Sequence, residues 1–137
     1  MTKRILLIDD DEDEMYFFTE ALNEANCSFA CLYANSVEEG LKMLNNKLPD
    51  YVFLDINMPK INGFEALSRI RNLEHTRHVS VILYSTAISE EVVKKGLAKG
   101  ATACMRKTGS IESLAESLKI LLDQNPSLPV ENNVSFT

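Results

Sequence analysis

The sequence lacks tryptophan, contains only three cysteines, and has no hydrophobic run near the roughly 20 residues needed to cross a membrane. The apolar stretch at the N-terminus stops at Ile8 and meets three aspartates, unlike a secretion signal. No Lys/Arg block forms a basic stripe, and the net charge is −6, which argues against direct nucleic-acid binding. An odd number of cysteines in apolar surroundings predicts buried free thiols rather than a disulfide or metal site. We therefore expect a cytoplasmic protein that binds neither nucleic acid nor membrane.

Short apolar runs alternate with helical patterns along most of the 137 residues, a length that suits one domain. The predicted strands are Lys3–Ile8, Ser28–Ala34, Tyr51–Leu54, Val79–Tyr84 and Thr102–Arg106. Ser36, Ser89 and Ser110 are predicted to cap the second, fourth and fifth helices, and Leu48 to lie on the apolar face of the second. Five β/α units of this kind predict an α/β fold, with a doubly wound parallel sheet and helices on both faces. From Gln124 onward, prolines and asparagines interrupt any apolar periodicity. We expect a domain over residues 1–123 and a flexible C-terminal tail over residues 124–137.

Polar side chains follow four of the five predicted strands. Asp9 and Asp10 come after the first strand, Asp55 after the third, Ser85 after the fourth and Lys107 after the fifth. Ligands of parallel α/β sheets bind at the carboxyl ends of the strands. In the known flavodoxin-like order 2-1-3-4-5, those four strands are consecutive neighbours. The spacing therefore predicts that these side chains converge in one crevice.

The chemistry of the group indicates a phosphoryl-binding site. Three carboxylates packed together repel one another unless a cation joins them, and oxygen ligands with room for water suit Mg²⁺. A metal ion, an ammonium and a hydroxyl together can receive the three oxygens of a phosphoryl group. One carboxylate could then act as a nucleophile and form an aspartyl phosphate.

Four motifs carry a resemblance to a known family. They are Ile-Leu-Leu-Ile-Asp-Asp at 5–10, Leu-Asp-Ile-Asn-Met-Pro at 54–59 with Gly63, Ser-Thr at 85–86, and Gly-Ala-x5-Lys at 100–107. Together they resemble the receiver domain of two-component response regulators, in the single-domain form similar to the bacterial chemotaxis regulator. The resemblance covers about residues 3–122. It implies a flavodoxin-like (βα)5 fold with a five-stranded parallel sheet of order 2-1-3-4-5.

The resemblance also implies roles for the acidic residues. Asp55 would be the phosphoacceptor, taking phosphate from a sensor histidine kinase, a phosphotransfer protein or a small acyl phosphate. Asp10 would bind Mg²⁺ directly and Asp9 largely through water. Asp55 and the backbone carbonyl of Asn57 would provide further ligands.

Two other residues would carry the phosphoryl signal outward. Lys107 would pair with one phosphoryl oxygen. Ser85 would hydrogen-bond another and draw the loop after the fourth strand inward. That movement would change the face made by the fourth helix, fifth strand and fifth helix, where a downstream protein would bind. Such a protein would be a phosphorelay signalling domain and not an enzyme, catalysing only its own phosphorylation and dephosphorylation.

Two adjacent hydroxyls compete for the switch position. Ser85 lies 30 residues after Asp55 and 22 before Lys107, which matches the family spacing without a gap. Thr86, followed by Ala87, has the hydroxyl-then-small pattern typical of the family. We assign the switch to Ser85. Thr86 would then occupy a position next to the phosphoryl group and restrict access to it, which would change the lifetime of the phosphate.

Two departures from the family pattern bear on output. Thr108 follows Lys107 where the family usually has a cis-proline, and we predict a trans bond because a cis bond there costs about 2.5–4 kcal/mol. Cys104 occupies the position usually held by a switching aromatic side chain. One alternative is thus a degenerate receiver that acts as a constitutive interaction module. Another is an aspartyl phosphatase, which usually needs a carboxylate where this sequence has Asn57.

Overall fold

Six strands form one sheet in the computed structural model, which describes residues 3–122 and 134–136. The strands are β1 (Lys3–Ile8), β2 (Phe29–Ala34), β3 (Tyr51–Asp55), β4 (Ser80–Ser85), β5 (Ala103–Arg106) and β6 (Val134–Phe136). They lie in the order β2-β1-β3-β4-β5-β6, and the first five are parallel. The predicted α/β fold and the order 2-1-3-4-5 are therefore confirmed.

Five α-helices connect the parallel strands. They are α1 (Glu12–Glu24), α2 (Val37–Asn46), α3 (Gly63–Arg71), α4 (Glu90–Ala98) and α5 (Ile111–Leu122), and a 3₁₀ turn at Glu74–Thr76 precedes β4. Three predicted serine caps are present, since Ser36, Ser89 and Ser110 each accept a backbone N–H three residues later. Because such caps satisfy otherwise unpaired donors, they fix where α2, α4 and α5 begin.

The sheet is buried on both faces, as the unbroken apolar runs predicted. Ile5 and Leu7 of β1 pack toward α1 and α5, whereas Leu6 and Ile8 pack toward α2 and α3. This alternation follows from the two-residue period of a strand. On the first face, the ring of Phe18 from α1 lies 4.8 Å from the ring of Phe53, edge to face. The core thereby fixes the strand ends that carry the polar residues.

The C-terminal segment contains a strand that the sequence did not indicate. β6 pairs antiparallel with β5, with Val134 opposite Met105 and Phe136 opposite Ala103. It covers the edge of β5 that would otherwise end the sheet. The tail that was predicted to be flexible also includes residues 124–133 and 137. These residues lie outside the described part of the chain, so their flexibility stays a prediction.

Smaller predictions had mixed outcomes. All three cysteines are free, but only Cys104 is fully buried, whereas Cys27 and Cys31 are partly exposed. Leu48, predicted on the inward face of α2, is 40% exposed because that helix ends at Asn46. Within residues 3–122 and 134–136, no helix has the length and apolar character needed to traverse a bilayer.

Candidate functional site

Three aspartates meet at the carboxyl end of the sheet. Asp9 and Asp10 directly follow β1, and Asp55 is the last residue of the neighbouring strand β3. Each offers one carboxylate oxygen, and these oxygens lie within 4.8 Å of one another. Asp9 and Asp55 are buried, whereas Asp10 is exposed. The convergence expected from the strand ends is present in the structure.

Lys107 places an ammonium group against two of these carboxylates. Its Nζ lies 2.7 Å from Asp9 Oδ2 and 3.4 Å from Asp55 Oδ2. Its backbone N–H donates to the carbonyl of Ser85 at 2.8 Å, which holds the residue beside the end of β4. Burial alone would lower the pKa of Lys107, but the hydrogen bond and charge of Asp9, with the charges of Asp55 and Glu14, raise it instead. The lysine is thus a cation held at the centre of the site.

Asp9 is fixed in place by four hydrogen bonds. Its Oδ1 accepts the backbone N–H of Asp11 at 3.0 Å, and its carbonyl accepts the hydroxyl of Tyr33 at 2.6 Å. Its own N–H donates to the carbonyl of Ala34, while Oδ2 accepts from Lys107. Burial raises the pKa of Asp9 from 3.8 to about 6, although the bonds from Lys107 and Asp11 act to lower it. A buried, rigid carboxylate of this kind favours either a proton or a cation.

A chain of hydrogen bonds leads from Asp55 to the end of β4. Asp55 Oδ1 accepts the backbone N–H of Asn57 at 3.0 Å, and the side-chain amide of Asn57 donates to Ser85 Oγ at 2.7 Å. Ser85 Oγ also accepts the N–H of Ala87 at 3.2 Å. Thr86 lies between them, exposed, in the loop of residues 86–89 that joins β4 to α4. The choice of Ser85 over Thr86 as the switch stays a prediction, as does a ligand role for the Asn57 carbonyl.

The donor set fits Mg²⁺. The group consists of carboxylates alone, without histidine or cysteine, and hard oxygen donors are the ligands that Mg²⁺ prefers. One of its members, Asp10, is exposed, so water would be able to supply further oxygen ligands. Beside Asp10 lies an open groove of about 510 Å³ between the loops that follow β1, β2 and β3. Asp10 is therefore accessible from solvent through this groove.

Glu14 and Tyr84 also belong to the site, although they are not among the residues predicted from the sequence. The buried Tyr84 donates its hydroxyl to Glu14 Oε2 at 3.1 Å, and Glu14 Oε1 lies 3.9 Å from Lys107 Nζ. Burial and the charge of Glu14 raise the pKa of Tyr84 far above its ordinary value, so it remains a hydrogen-bond donor. One sequence signal was available, because Glu14 precedes the buried Phe18 by four residues and shares its helix face.

The structure also shows the surroundings of Thr108 and Cys104, the two departures from the family pattern. Among the described residues no peptide bond is cis, so the bond between Lys107 and Thr108 is trans as predicted. Thr108 Oγ1 instead accepts the backbone N–H of Ser110 at 3.4 Å, at the start of α5. Cys104 lies in β5, fully buried under α4 next to Gly96. No aromatic side chain therefore occupies that position on β5.

Comparisons with known proteins agree with this architecture. The family model described as the response regulator receiver domain matches residues 5–119. The chain is 30% identical over 116 residues to the probable C4-dicarboxylate response regulator DctR of Bacillus subtilis, spanning 85% of this chain but only 50% of DctR. It is also 30% identical over 119 residues to the protein PilH of Pseudomonas aeruginosa, covering 87% of this chain and 97% of PilH. The crystal structure of the Vibrio cholerae chemotaxis protein CheY4 superposes with a TM-score of 0.76, at 24% identity, covering 87% of this chain and 98% of CheY4.

Proposed function

The chain belongs to the response regulator receiver domain family, and we propose that it is a phospho-accepting switch with Asp55 as its phosphoacceptor. Receiver domains are signalling domains and not enzymes in the ordinary sense. The observation that carries the proposal is the grouping of Asp55 with Asp9 and Asp10, their oxygens within 4.8 Å, and Lys107 in contact with Asp55. The phosphoryl donor to Asp55 would be a sensor histidine kinase, a phosphotransfer protein or a small acyl phosphate.

The transfer is a substitution at phosphorus. A lone pair of the Asp55 carboxylate attacks the phosphorus of the donor, an O–P bond forms, and the bond from phosphorus to the donor's imidazole nitrogen or acyl oxygen breaks. The electron pair of that bond leaves with the donor. Lys107, already 3.4 Å from Asp55 Oδ2, pairs with a phosphoryl oxygen and offsets the charge that arrives.

A divalent cation would neutralise further phosphoryl charge when bound, which is the chemistry that Mg²⁺ supplies in phosphoryl transfer. Asp10 would hold it directly, Asp9 largely through water, and Asp55 and the carbonyl of Asn57 would add ligands. Mg²⁺ is supported by the carboxylate-only donor set. Phosphorylation of the protein therefore needs to be compared with and without Mg²⁺.

Ser85 would carry the signal away from Asp55. Its hydroxyl, which accepts hydrogen bonds from Asn57 and Ala87, would donate to a phosphoryl oxygen, and the loop of residues 86–89 would follow it. The face made by α4, β5 and α5 would then change its affinity for a protein target. Such an effect is a local charge change that biases an element with two arrangements.

Intact-mass measurement tests the proposal. Wild type, Asp55→Asn and the control Asp50→Asn are incubated with acetyl phosphate, with and without Mg²⁺. Asp50 is matched because it precedes the same strand that Asp55 ends, and its carboxylate accepts the N–H of Arg4. We expect a Mg²⁺-dependent phosphoryl adduct on wild type and Asp50→Asn, and none on Asp55→Asn.

A folded wild type without an adduct, from acetyl phosphate or from a histidine kinase, would contradict the proposal. It would favour the alternative of a degenerate receiver that binds its partner constitutively. An adduct that persists in Asp55→Asn would place the phosphoacceptor elsewhere. Circular dichroism of each variant establishes that the fold is retained.

A further inference from the structure

A guanidinium group on β5 holds the loop that follows β4. Arg106, the last residue of β5, donates from Nη2 to the carbonyl of Ile88 at 2.8 Å and from Nη1 to the carbonyl of Thr86 at 3.4 Å. Both carbonyls belong to the loop of residues 86–89. Ser85 lies opposite Arg106 in the parallel pairing of β4 with β5. The side chain of Arg106 thus spans from β5 to the segment that leads into α4.

A second side-chain anchor of the same loop belongs to the proposed phosphoryl site. Ser85 Oγ accepts the N–H of Ala87 at 3.2 Å and the side-chain amide of Asn57 at 2.7 Å. Three consecutive residues are therefore held in alternation: the carbonyls of residues 86 and 88 by Arg106, and the N–H of residue 87 by Ser85. The Ser85 hydroxyl and the Arg106 guanidinium thus bond neighbouring peptide groups of the same loop.

The chemistry of arginine suits this contact. Its planar guanidinium presents several N–H donors in a fixed fork, so it can hold two carbonyls that are two residues apart. Lysine has a single ammonium on a flexible stem and cannot reproduce both bonds with the same geometry. Because side chains alternate along a strand, Cys104 and Arg106 leave β5 on the same side. The buried thiol of Cys104 is a much weaker hydrogen-bond donor than a guanidinium. Arg106 is therefore the β5 side chain that hydrogen-bonds to the loop.

We propose that Arg106 couples the phosphoryl site to the face made by α4, β5 and α5, by tying the loop of residues 86–89 to β5. The inference rests on the proposed function of Asp55. The physical connection runs from Asp55 through Asn57 and Ser85 to the loop, and from the loop through Arg106 to β5. Arg106 touches neither the carboxylate cluster nor the phosphoryl position, so it is a positioning residue.

Nuclear magnetic resonance of the full chain tests the coupling, with beryllofluoride and Mg²⁺ as the phosphoryl analogue. Amide shifts at residues 55 and 57 report occupation of the site, and those at residues 103–106 report the response of β5. The proteins are wild type, Arg106→Ala, Arg106→Lys and the control Arg77→Ala, which alters an exposed arginine after the 3₁₀ turn. Mutations along a coupling network change the coupling by about 2- to 30-fold.

We expect all four proteins to show the shift changes at residues 55 and 57. In Arg106→Ala, the changes at residues 103–106 should shrink at least about twofold relative to those at the site. Arg106→Lys should fall between Arg106→Ala and wild type, and Arg77→Ala should match wild type. A residue with only a structural role would lower stability but leave the ratio of the two responses unchanged.

The failures of the two proposals are distinguishable. If beryllofluoride leaves residues 55 and 57 of wild type unchanged, the proposed function of Asp55 fails whatever Arg106 does. If site and β5 respond in Arg106→Ala as they do in wild type, the coupling role of Arg106 is overturned. Should Arg106→Ala not fold, Arg106→Lys decides, because a wild-type ratio in that variant contradicts the need for the two-carbonyl contact.

Discussion

The buried carboxylate of Asp9 should make the Mg²⁺-free protein less stable as the pH rises. Its side chain is fully buried, and burial raises its pKa from 3.8 to about 6. Between these values the folded state keeps a proton that the unfolded chain has released. The free energy of unfolding therefore decreases as the pH rises between these two pKa values. The loss of stability is complete above the folded-state pKa. A rise from 3.8 to about 6 corresponds to about 3 kcal/mol, of which about 2 kcal/mol falls between about pH 4.5 and about pH 7.5.

Replacing Asp9 by asparagine removes this titration. Lys107 keeps Asp55 as a partner at 3.4 Å, so the variant does not leave a buried ammonium unpaired. Urea denaturation in EDTA, followed by circular dichroism at several pH values, gives the free energy of unfolding for wild type, Asp9→Asn and the control Asp13→Asn. Asp13 is an exposed carboxylate in the first turn of α1, outside the group of three aspartates that could hold a metal ion.

From about pH 4.5 to about pH 7.5, the free energy of unfolding of Asp9→Asn should increase by about 2 kcal/mol relative to that of wild type. That of Asp13→Asn should change with pH as wild type does. Mg²⁺ at 100 times its dissociation constant should return about 2.7 kcal/mol to wild type. An Asp9→Asn stability difference that is constant across this range would refute the reasoning. So would an Asp13→Asn variant that behaves like Asp9→Asn.

Three further predictions follow from single contacts. Gly63→Ala should destabilise the protein in urea by about 1–3 kcal/mol, because the added methyl would collide with the backbone of Ile56, and an unchanged midpoint would contradict this. Tyr84→Phe should cost about 1.5–3 kcal/mol in the same assay by removing the hydrogen bond to Glu14, and a neutral effect would show that the bond contributes nothing. Lys107→Ala should tighten Mg²⁺ binding roughly tenfold or more, because one positive charge leaves the site, whereas weaker binding in a calorimetric titration would count against it.

The features that could be predicted from sequence are those that depend on local periodicity. β3 reads as a continuous apolar run because both of its faces are buried, and Asp55 is recognisable because it ends that run. Asp9, Ser85 and Lys107 could be assigned to the same crevice because each follows a strand of a parallel sheet. The serine caps could be predicted because each serine bonds a backbone N–H only three residues later in the sequence.

The features that were missed depend on contacts distant in the sequence or on weak local signals. The bond from Tyr84 to Glu14 spans 70 residues, and that from Arg106 to Ile88 spans 18. β6 has only three residues, too few for a two-residue period to be distinguished from chance. Leu48 was misplaced because the following Pro49 disfavours helical backbone, and α2 accordingly ends before it.

The central claim is that Asp55 carries the phosphoryl group, and mapping the modified residue tests it most directly. Wild type phosphorylated with acetyl phosphate and Mg²⁺ is reduced with borohydride, which converts an aspartyl phosphate to homoserine, and its peptides are sequenced by mass spectrometry. We predict homoserine at position 55, with Asp9 and Asp10 unmodified. Homoserine at position 9 or 10, or none in a protein that carries the phosphoryl adduct, would contradict the account.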